Sequence, residues 1–82
     1  MLKDEFVNIE DIYIPTQRRK TLNESTVAEL AENILEEGMK VPIQVRKGKG
    51  RFVLVEGLHR LEACRSLGDI KVTCILVAAK KF

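Results

Sequence analysis

The feature that most constrains the fold is the run from Leu54 to Gly68, in which an apolar, strand-like end passes through a single glycine into a helical pattern. Beyond that glycine, Leu61, Cys64 and Leu67 recur at helical spacing and form one apolar stripe. A strand followed at once by an amphipathic helix favours a sheet with helices packed against it.

The rest of the chain supplies the partners of that strand and helix. The predicted order is strand, turn, helix, hairpin, helix and strand, which gives an α+β fold with a small mixed sheet and two main helices. The first predicted helix ends at Gly38, and the second, which begins near Leu58, ends at Gly68. The predicted segments are a strand around Phe6–Ile9, an apolar patch at Ile12–Ile14 that stops at the turn of Pro15, a helix from Asn23 to Glu37, hairpin strands at Pro42–Arg46 and Arg51–Val55, and a last strand from Lys71 to Val77.

The length of 82 residues predicts a single domain spanning residues 1–82. Cys64 and Cys74 lie within apolar patterns and lack the spacing of a zinc site, so we expect reduced thiols in the core. No segment approaches the length of a membrane span, and the first residues lack the pattern of a signal peptide. These features predict a cytoplasmic protein.

Charge is unevenly divided between the two halves of the chain. Residues 1–41 carry five basic and nine acidic side chains, whereas residues 42–82 carry nine basic and three acidic ones, so the halves have net charges of −4 and +6. A basic second half favours phosphate, nucleotide or nucleic acid as a ligand. The alternative is that its cluster of Arg46, Lys47, Lys49 and Arg51 is a solvated hairpin.

The turn at Gly57 has the composition of an anion site. The first turn of a helix has backbone N–H groups without partners and a partial positive charge. Gly57 allows a phosphate to approach, and His59 and Arg60 add side-chain donors. Two alternatives stay open: Arg60 pairs with a glutamate, Glu56 or Glu62, and His59 is satisfied by a backbone carbonyl.

Glu56 directly precedes this turn and has three interpretations. Its carboxylate is a candidate magnesium ligand, because nucleotide sites often hold Mg²⁺ through one carboxylate and the phosphates. It is also the candidate catalytic group of the turn. The simplest alternative is an ion pair with Arg51 or Arg60.

Five segments, taken in order, resemble the ParB/sulfiredoxin superfamily, specifically the N-terminal domain of ParB-like proteins. The resemblance covers roughly residues 5 to 78. The matching segments are Ile14-Pro15-Thr16-Gln17-Arg18-Arg19, the helix from Val27 to Gly38, Pro42-Ile43-Gln44-Val45 with its hairpin, Leu54 to Ala63, and Leu67-Gly68.

The branches of this superfamily differ within the glycine turn. ParB partition proteins have Gly-Glu-Arg-Arg, which holds the triphosphate of CTP, so Leu58 and His59 depart from that pattern and Arg60 matches it. Sulfiredoxins have Gly-Cys-His-Arg, and because Leu58 occupies the place of the nucleophilic cysteine, sulfiredoxin chemistry is excluded. Free-serine kinases have Asp-Gly-His-His-Arg, which resembles Glu56 to Arg60 with Glu for Asp and Leu for the first His.

The resemblance implies a ParB-like nucleotide- or phosphate-binding domain that acts in DNA partition or transcriptional regulation with little or no turnover. The implied ligand is CTP or ATP with magnesium. The resemblance leaves open whether the protein binds DNA, directly or through a domain beyond Phe82. It also leaves open whether the chain forms a homodimer. The enzymatic alternative is a small phosphotransferase or nuclease using Glu56, His59 and Arg60. The resemblance also brings the segment Gln17-Arg18-Arg19 beside the turn, so the predicted phosphate- or nucleotide-binding residues are Gly57, Leu58, His59, Arg60, Gln17, Arg18 and Arg19.

Overall fold

The computed structural model describes residues 4–78, which form a five-stranded mixed sheet with the strand order β1-β5-β3-β4-β2. The predicted α+β fold is confirmed, with two main helices and a further helix of one turn. The elements are β1 (Asp4–Asn8), a 3₁₀ turn (Ile9–Asp11), β2 (Ile12–Tyr13), α1 (Thr16–Arg19), α2 (Glu24–Glu37), β3 (Ile43–Lys47), β4 (Phe52–Glu56), α3 (Leu58–Ser66) and β5 (Lys71–Leu76).

The sheet is built around the predicted hairpin. β3 and β4 pair antiparallel, and their turn is closed by the Gly48 N–H, which donates to the Arg51 carbonyl at 2.8 Å. β5 lies parallel to β3 and antiparallel to the edge strand β1. The last strand therefore enters the interior of the sheet by the crossover through α3, as the sequence predicts.

The predicted helix boundaries are also confirmed. Asn23 caps α2, because its side-chain oxygen accepts from the backbone N–H groups of Ser25 and Thr26 at 2.9 and 3.2 Å. Gly38 follows the helix with φ +83°, a conformation that a residue with a side chain rarely adopts. Of the helices formed by residues 4–78, none is long and apolar enough to cross a membrane.

The core lies between the sheet and α3, whereas α2 packs against α3 and adds only the partly buried Ile34 to it. Leu61 is fully buried at its centre, Leu58 is 5% exposed, and Leu67, predicted to point inward, is only half-buried. The buried cluster consists of Val7, Ile9, Ile12, Ile14, Ile43, Val45, Leu54, Leu58, Leu61, Cys64, Val72 and Cys74.

Two elements near the N-terminus differ from the sequence prediction. The patch at Ile12–Tyr13 forms a second, two-residue strand, and the exposed segment from Thr16 to Arg19, for which the sequence predicts no helix, forms one helical turn. Two residues are too few for periodicity to mark a strand, so β2 depends on its pairing with β4. α1 buries no residue, so it has no apolar period to detect.

Candidate functional site

Strand direction brings together the Gly57 turn and the segment that the family resemblance adds to the site. β2 runs parallel to β4, with Ile12 opposite Phe52 and Tyr13 opposite Val53. The residues that follow the two strands therefore leave the sheet at the same end. One segment becomes α1, and the other becomes the Gly57 turn and α3.

Gly57 occupies its position for reasons of backbone conformation and packing. Its φ is +106°, and a Cβ atom placed on it would lie 2.8 Å from Cγ2 and 3.2 Å from Cα of Ile43. Ile43 is only 1% exposed and has no room to move aside. The glycine thus allows the start of α3 to pack directly on β3, which is a different role from the predicted approach of a phosphate.

The first turn of α3 offers backbone donors. No side chain caps this helix, and the first intrahelical bond to the turn is the Leu61 N–H to the Gly57 carbonyl at 2.9 Å. The N–H groups of Leu58, His59 and Arg60 precede that bond and have no carbonyl within the helix to bond. Because the Leu58 side chain is buried in the core, that residue contributes only its backbone to the site.

A cleft of about 200 Å³ opens over this turn. It joins five of the seven predicted phosphate-binding residues with Glu56, whereas the exposed Gln17 and Arg19 are not among its lining residues. Thr21, which sequence reasoning did not single out, is also part of the wall. The lining residues are Arg18, Thr21, Glu56, Gly57, Leu58, His59 and Arg60.

Glu56 pairs with Arg18 across the mouth of the cleft. Arg18 Nη1 lies 3.9 Å from Glu56 Oε2, and the two side chains are 42% and 68% exposed. The predicted ion pairs of Glu56 with Arg51 or Arg60 were wrong. Arg51 stacks over the ring of Tyr13 instead, and Arg60 forms no ion pair with Glu56. A long, exposed pair of this kind is worth only about 0 to 1 kcal/mol, so either partner is readily available to a ligand.

Glu56 offers a metal ion only one protein carboxylate. Residues 4–78 contain no group of three His, Cys, Asp or Glu side chains arranged to hold one. Glu56 therefore fits magnesium only as a single carboxylate that shares the ion with phosphate oxygens and water.

His59 ties the cleft to the start of α2. Its Nε2 accepts a hydrogen bond from the backbone N–H of Asn23 at 3.0 Å. The predicted alternative of a bond to a backbone carbonyl is therefore wrong for this nitrogen, since an acceptor carries no proton. In this arrangement the neutral ring carries its proton on Nδ1, which is the nitrogen able to donate to an anion.

Arg60 stands on the same turn, half-buried between two concave surfaces. It lines the cleft and also a groove of about 240 Å³ beside the end of α2, with Ile34 and Val41. Glu62, one of its two predicted partners, instead pairs with Arg65 at 3.4 Å. Within residues 4–78 no carboxylate lies within ion-pair distance of Arg60.

The two thiols lie away from this chemistry, and both are free and buried, as predicted. Burial, reinforced by Asp69, raises the pKa of Cys64 above 9.0. Burial, reinforced by Glu5 and Asp4, raises the pKa of Cys74 in the same direction. A raised pKa keeps each sulfur protonated and weakly nucleophilic.

Comparison with known proteins identifies the family. The ParB N-terminal domain model matches residues 3–81, and the chain belongs to that family. A probable chromosome-partitioning protein ParB of Campylobacter jejuni is 36% identical over 62 residues, which are 76% of this chain and 22% of that protein. The sulfiredoxin of Arabidopsis thaliana is 33% identical over 66 residues, or 80% of this chain and 53% of that protein.

Solved structures agree with this assignment. The crystal structure of the Arabidopsis sulfiredoxin superposes with a TM-score of 0.83 at 28% identity, covering 94% of this chain and 86% of that one. The C-terminally truncated ParB of Caulobacter crescentus, complexed with CTP-γ-S, gives a TM-score of 0.82 at 26% identity, covering 96% and 46%. The chain spans about a fifth of the Campylobacter ParB and about half of the sulfiredoxin sequence.

Proposed function

We propose that this domain binds the phosphates of a nucleotide, CTP or ATP, in the cleft over the Gly57 turn, with little or no turnover. One observation carries the proposal: Arg18 and Arg60, 42 residues apart in sequence (60 − 18), line the same small cleft as the uncapped start of α3. Guanidinium groups and helix N-terminal N–H groups are suited to phosphate oxygens.

The groups of the cleft have separate roles in this proposal. The N–H groups at the start of α3 hold one phosphate, and Arg60 binds it bidentately. The His59 Nδ1–H donates to the same group while Nε2 keeps its bond to Asn23. Arg18 leaves its ion pair with Glu56 and binds a second phosphate.

Glu56 is the residue that would hold magnesium in the nucleotide complex. Bound there, the ion would neutralise charge between the carboxylate and the phosphate chain. Without it, the exposed carboxylate repels the ligand from the same cleft.

The cleft, at about 200 Å³, matches the phosphate chain better than a whole nucleotide, because complete small-molecule sites usually measure about 300 to 1,000 Å³. The ribose and base therefore lie outside it. Gln17 and Arg19, exposed on α1, are proposed to contact them on one side.

The ParB relatives support a role in DNA partition, with transcriptional regulation as the alternative role. The Caulobacter ParB has been solved with CTP-γ-S and also, at 27% identity to this chain, with the centromeric parS site. DNA would be reached either directly or through residues outside this domain, and a homodimer is one assembly in which nucleotide binding would act.

Isothermal titration calorimetry with CTP and with ATP, each with and without Mg²⁺, tests the proposal. Arg60→Ala is expected to weaken binding by at least tenfold, because it removes a charge-assisted bidentate contact worth about 1.5 to 3 kcal/mol. Arg65→Ala is the matched control, since it removes an arginine of the same helix that is paired with Glu62. Equal affinities for the two variants, or no binding by the intact chain, would contradict the proposal.

A phosphotransferase or nuclease remains the second candidate, favoured by the exposed Glu56 carboxylate at the mouth of the cleft. In that case Glu56 acts as base or metal ligand, and His59 with Arg60 stabilises the charge that develops on phosphate. Turnover of ATP or DNA by the wild type that is lost in Glu56→Gln would favour this candidate. The absence of turnover in a protein that binds nucleotide would favour the first.

A further inference from the structure

A second group of cations lies at the opposite end of the sheet from the cleft. The hairpin turn between β3 and β4 presents Lys47, Lys49 and Arg51, all exposed, beside the half-buried Arg46. β4 is five residues long, so at about 3.3 Å per residue this turn lies about 13 Å from Glu56. None of these residues lines the cleft over the Gly57 turn.

Arg51 is held in a defined position by an aromatic ring. Its Cζ atom lies 3.9 Å from the centroid of the Tyr13 ring, and Tyr13 is itself 39% exposed on the edge strand β2. The parallel pairing of β2 with β4, in which Tyr13 lies opposite Val53, fixes this stack. A guanidinium plane supported on one face by an aromatic ring has its other face available for stacking.

The surface beside this stack is concave and basic. A depression of about 270 Å³ is lined by Lys47, Gly48, Gly50, Arg51 and Phe52, with Asp11 as its one acidic residue. Gly50 carries no side chain, and a Cβ placed on it would have no atom within 4 Å, so a ligand can approach the turn closely there. The charges of Lys47 and Arg51 in the depression, with Lys49 beside it, outweigh the charge of Asp11.

We propose that this surface, formed by Tyr13, Arg51 and the lysines of the β3–β4 turn, binds single-stranded nucleic acid. Lys47 and Lys49 contact the phosphates as flexible point charges. An unpaired base stacks on the free face of the Arg51 guanidinium, as bases do on arginine and aromatic platforms. A duplex does not offer such an unstacked base, so the surface prefers a single strand.

The test is fluorescence anisotropy of the complete chain with a fluorescein-labelled 15-mer of thymidine, without nucleotide, at several salt concentrations. Arg51→Lys keeps the charge but removes the planar stack, and we expect the affinity to fall about tenfold. Lys49→Gln removes one phosphate contact and should reduce the slope of log K against log salt by about 0.7. Lys40→Gln, which removes an exposed cation paired with Glu37 at the end of α2, is the matched control and should leave both values unchanged.

Two further measurements make the result decisive. Arg60→Ala should bind the 15-mer as the wild type does, which separates this surface from the nucleotide cleft. Equal binding of the 15-mer, a matched duplex and inorganic polyphosphate, with no effect of Arg51→Lys, would overturn the proposal by showing attraction to any polyanion. The proposal would also be overturned if the chain dimerised without oligonucleotide and Lys49→Gln abolished the dimer. The partner of this surface would then be the acidic helix α2 of a second copy.

Discussion

Among the glycines of residues 4–78, Gly57 should be the one whose replacement by alanine lowers the unfolding free energy most. Two separate costs arise from the geometry. A residue with a side chain at φ +106° is strained by about 1 to 3 kcal/mol. The added methyl would also lie 2.8 Å from Cγ2 of a fully buried Ile43, and overpacking of this kind costs about 1 to 3 kcal/mol.

The sum, about 2 to 6 kcal/mol, is a large part of the stability expected for a chain of 82 residues, which is about 4 to 12 kcal/mol. Gly68→Ala provides the matched control, because Gly68 has φ +84° but no atom within 4 Å of an added Cβ. It should cost only the strain. With an m-value of about 1 kcal/mol/M, a difference of about 2 kcal/mol separates the two urea midpoints by about 2 M.

Urea unfolding followed by circular dichroism measures both midpoints. Equal midpoints for Gly57→Ala and Gly68→Ala would refute the argument that the close approach to Ile43 requires the glycine. A Gly57→Ala protein of wild-type stability that no longer binds CTP would instead assign the glycine to ligand approach, as the sequence alone suggests.

Three further changes test other parts of the account. His59→Ala should lower the unfolding free energy by about 0.5 to 1 kcal/mol because it removes the acceptor of the Asn23 N–H, whereas His59→Gln, which keeps an acceptor, should lower it less in the same urea assay. Glu56→Gln should tighten CTP binding in EDTA about two- to fivefold by calorimetry, since it releases Arg18, and should remove the gain from Mg²⁺; unchanged Mg²⁺ dependence would exclude Glu56 as a ligand. The raised pKa values of Cys64 and Cys74 contribute stability that is fully present below pH 9.0 and is lost as the pH rises further, towards the pKa values of the folded state. Urea midpoints should therefore fall from pH 8 to pH 10 less steeply in Cys74→Ala than in the wild type.

Much of the fold could be predicted because the segments that form it carry their own signals. α2 has a regular apolar period, a capping Asn23 and a terminating Gly38, and the hairpin has alternating strands around a glycine-rich turn. These are local properties of the chain. β2 has no such signal, because its two residues become a strand only by pairing with β4.

The candidate site was predictable in its residue types but not in its contacts. The sequence around Gly57 predicts the start of a helix. Arg18 lies beside that turn only because β2 and β4 are parallel. Residue spacing along the chain does not specify that Glu56 pairs with Arg18 rather than with Arg51 or Arg60. Nor does it specify that His59 Nε2 accepts a hydrogen bond from the backbone N–H of Asn23, 36 residues away.

The most direct test of the central claim is a titration of the ¹⁵N-labelled chain with CTP and Mg²⁺, followed by the backbone amide signals. We predict the largest shifts at the amides of Leu58, His59 and Arg60, with smaller ones at Arg18 and Thr21, which line the same cleft. The amides of the β3–β4 turn should not move. Saturable binding that leaves the three amides at the start of α3 unshifted would contradict the claim that this turn holds the phosphates.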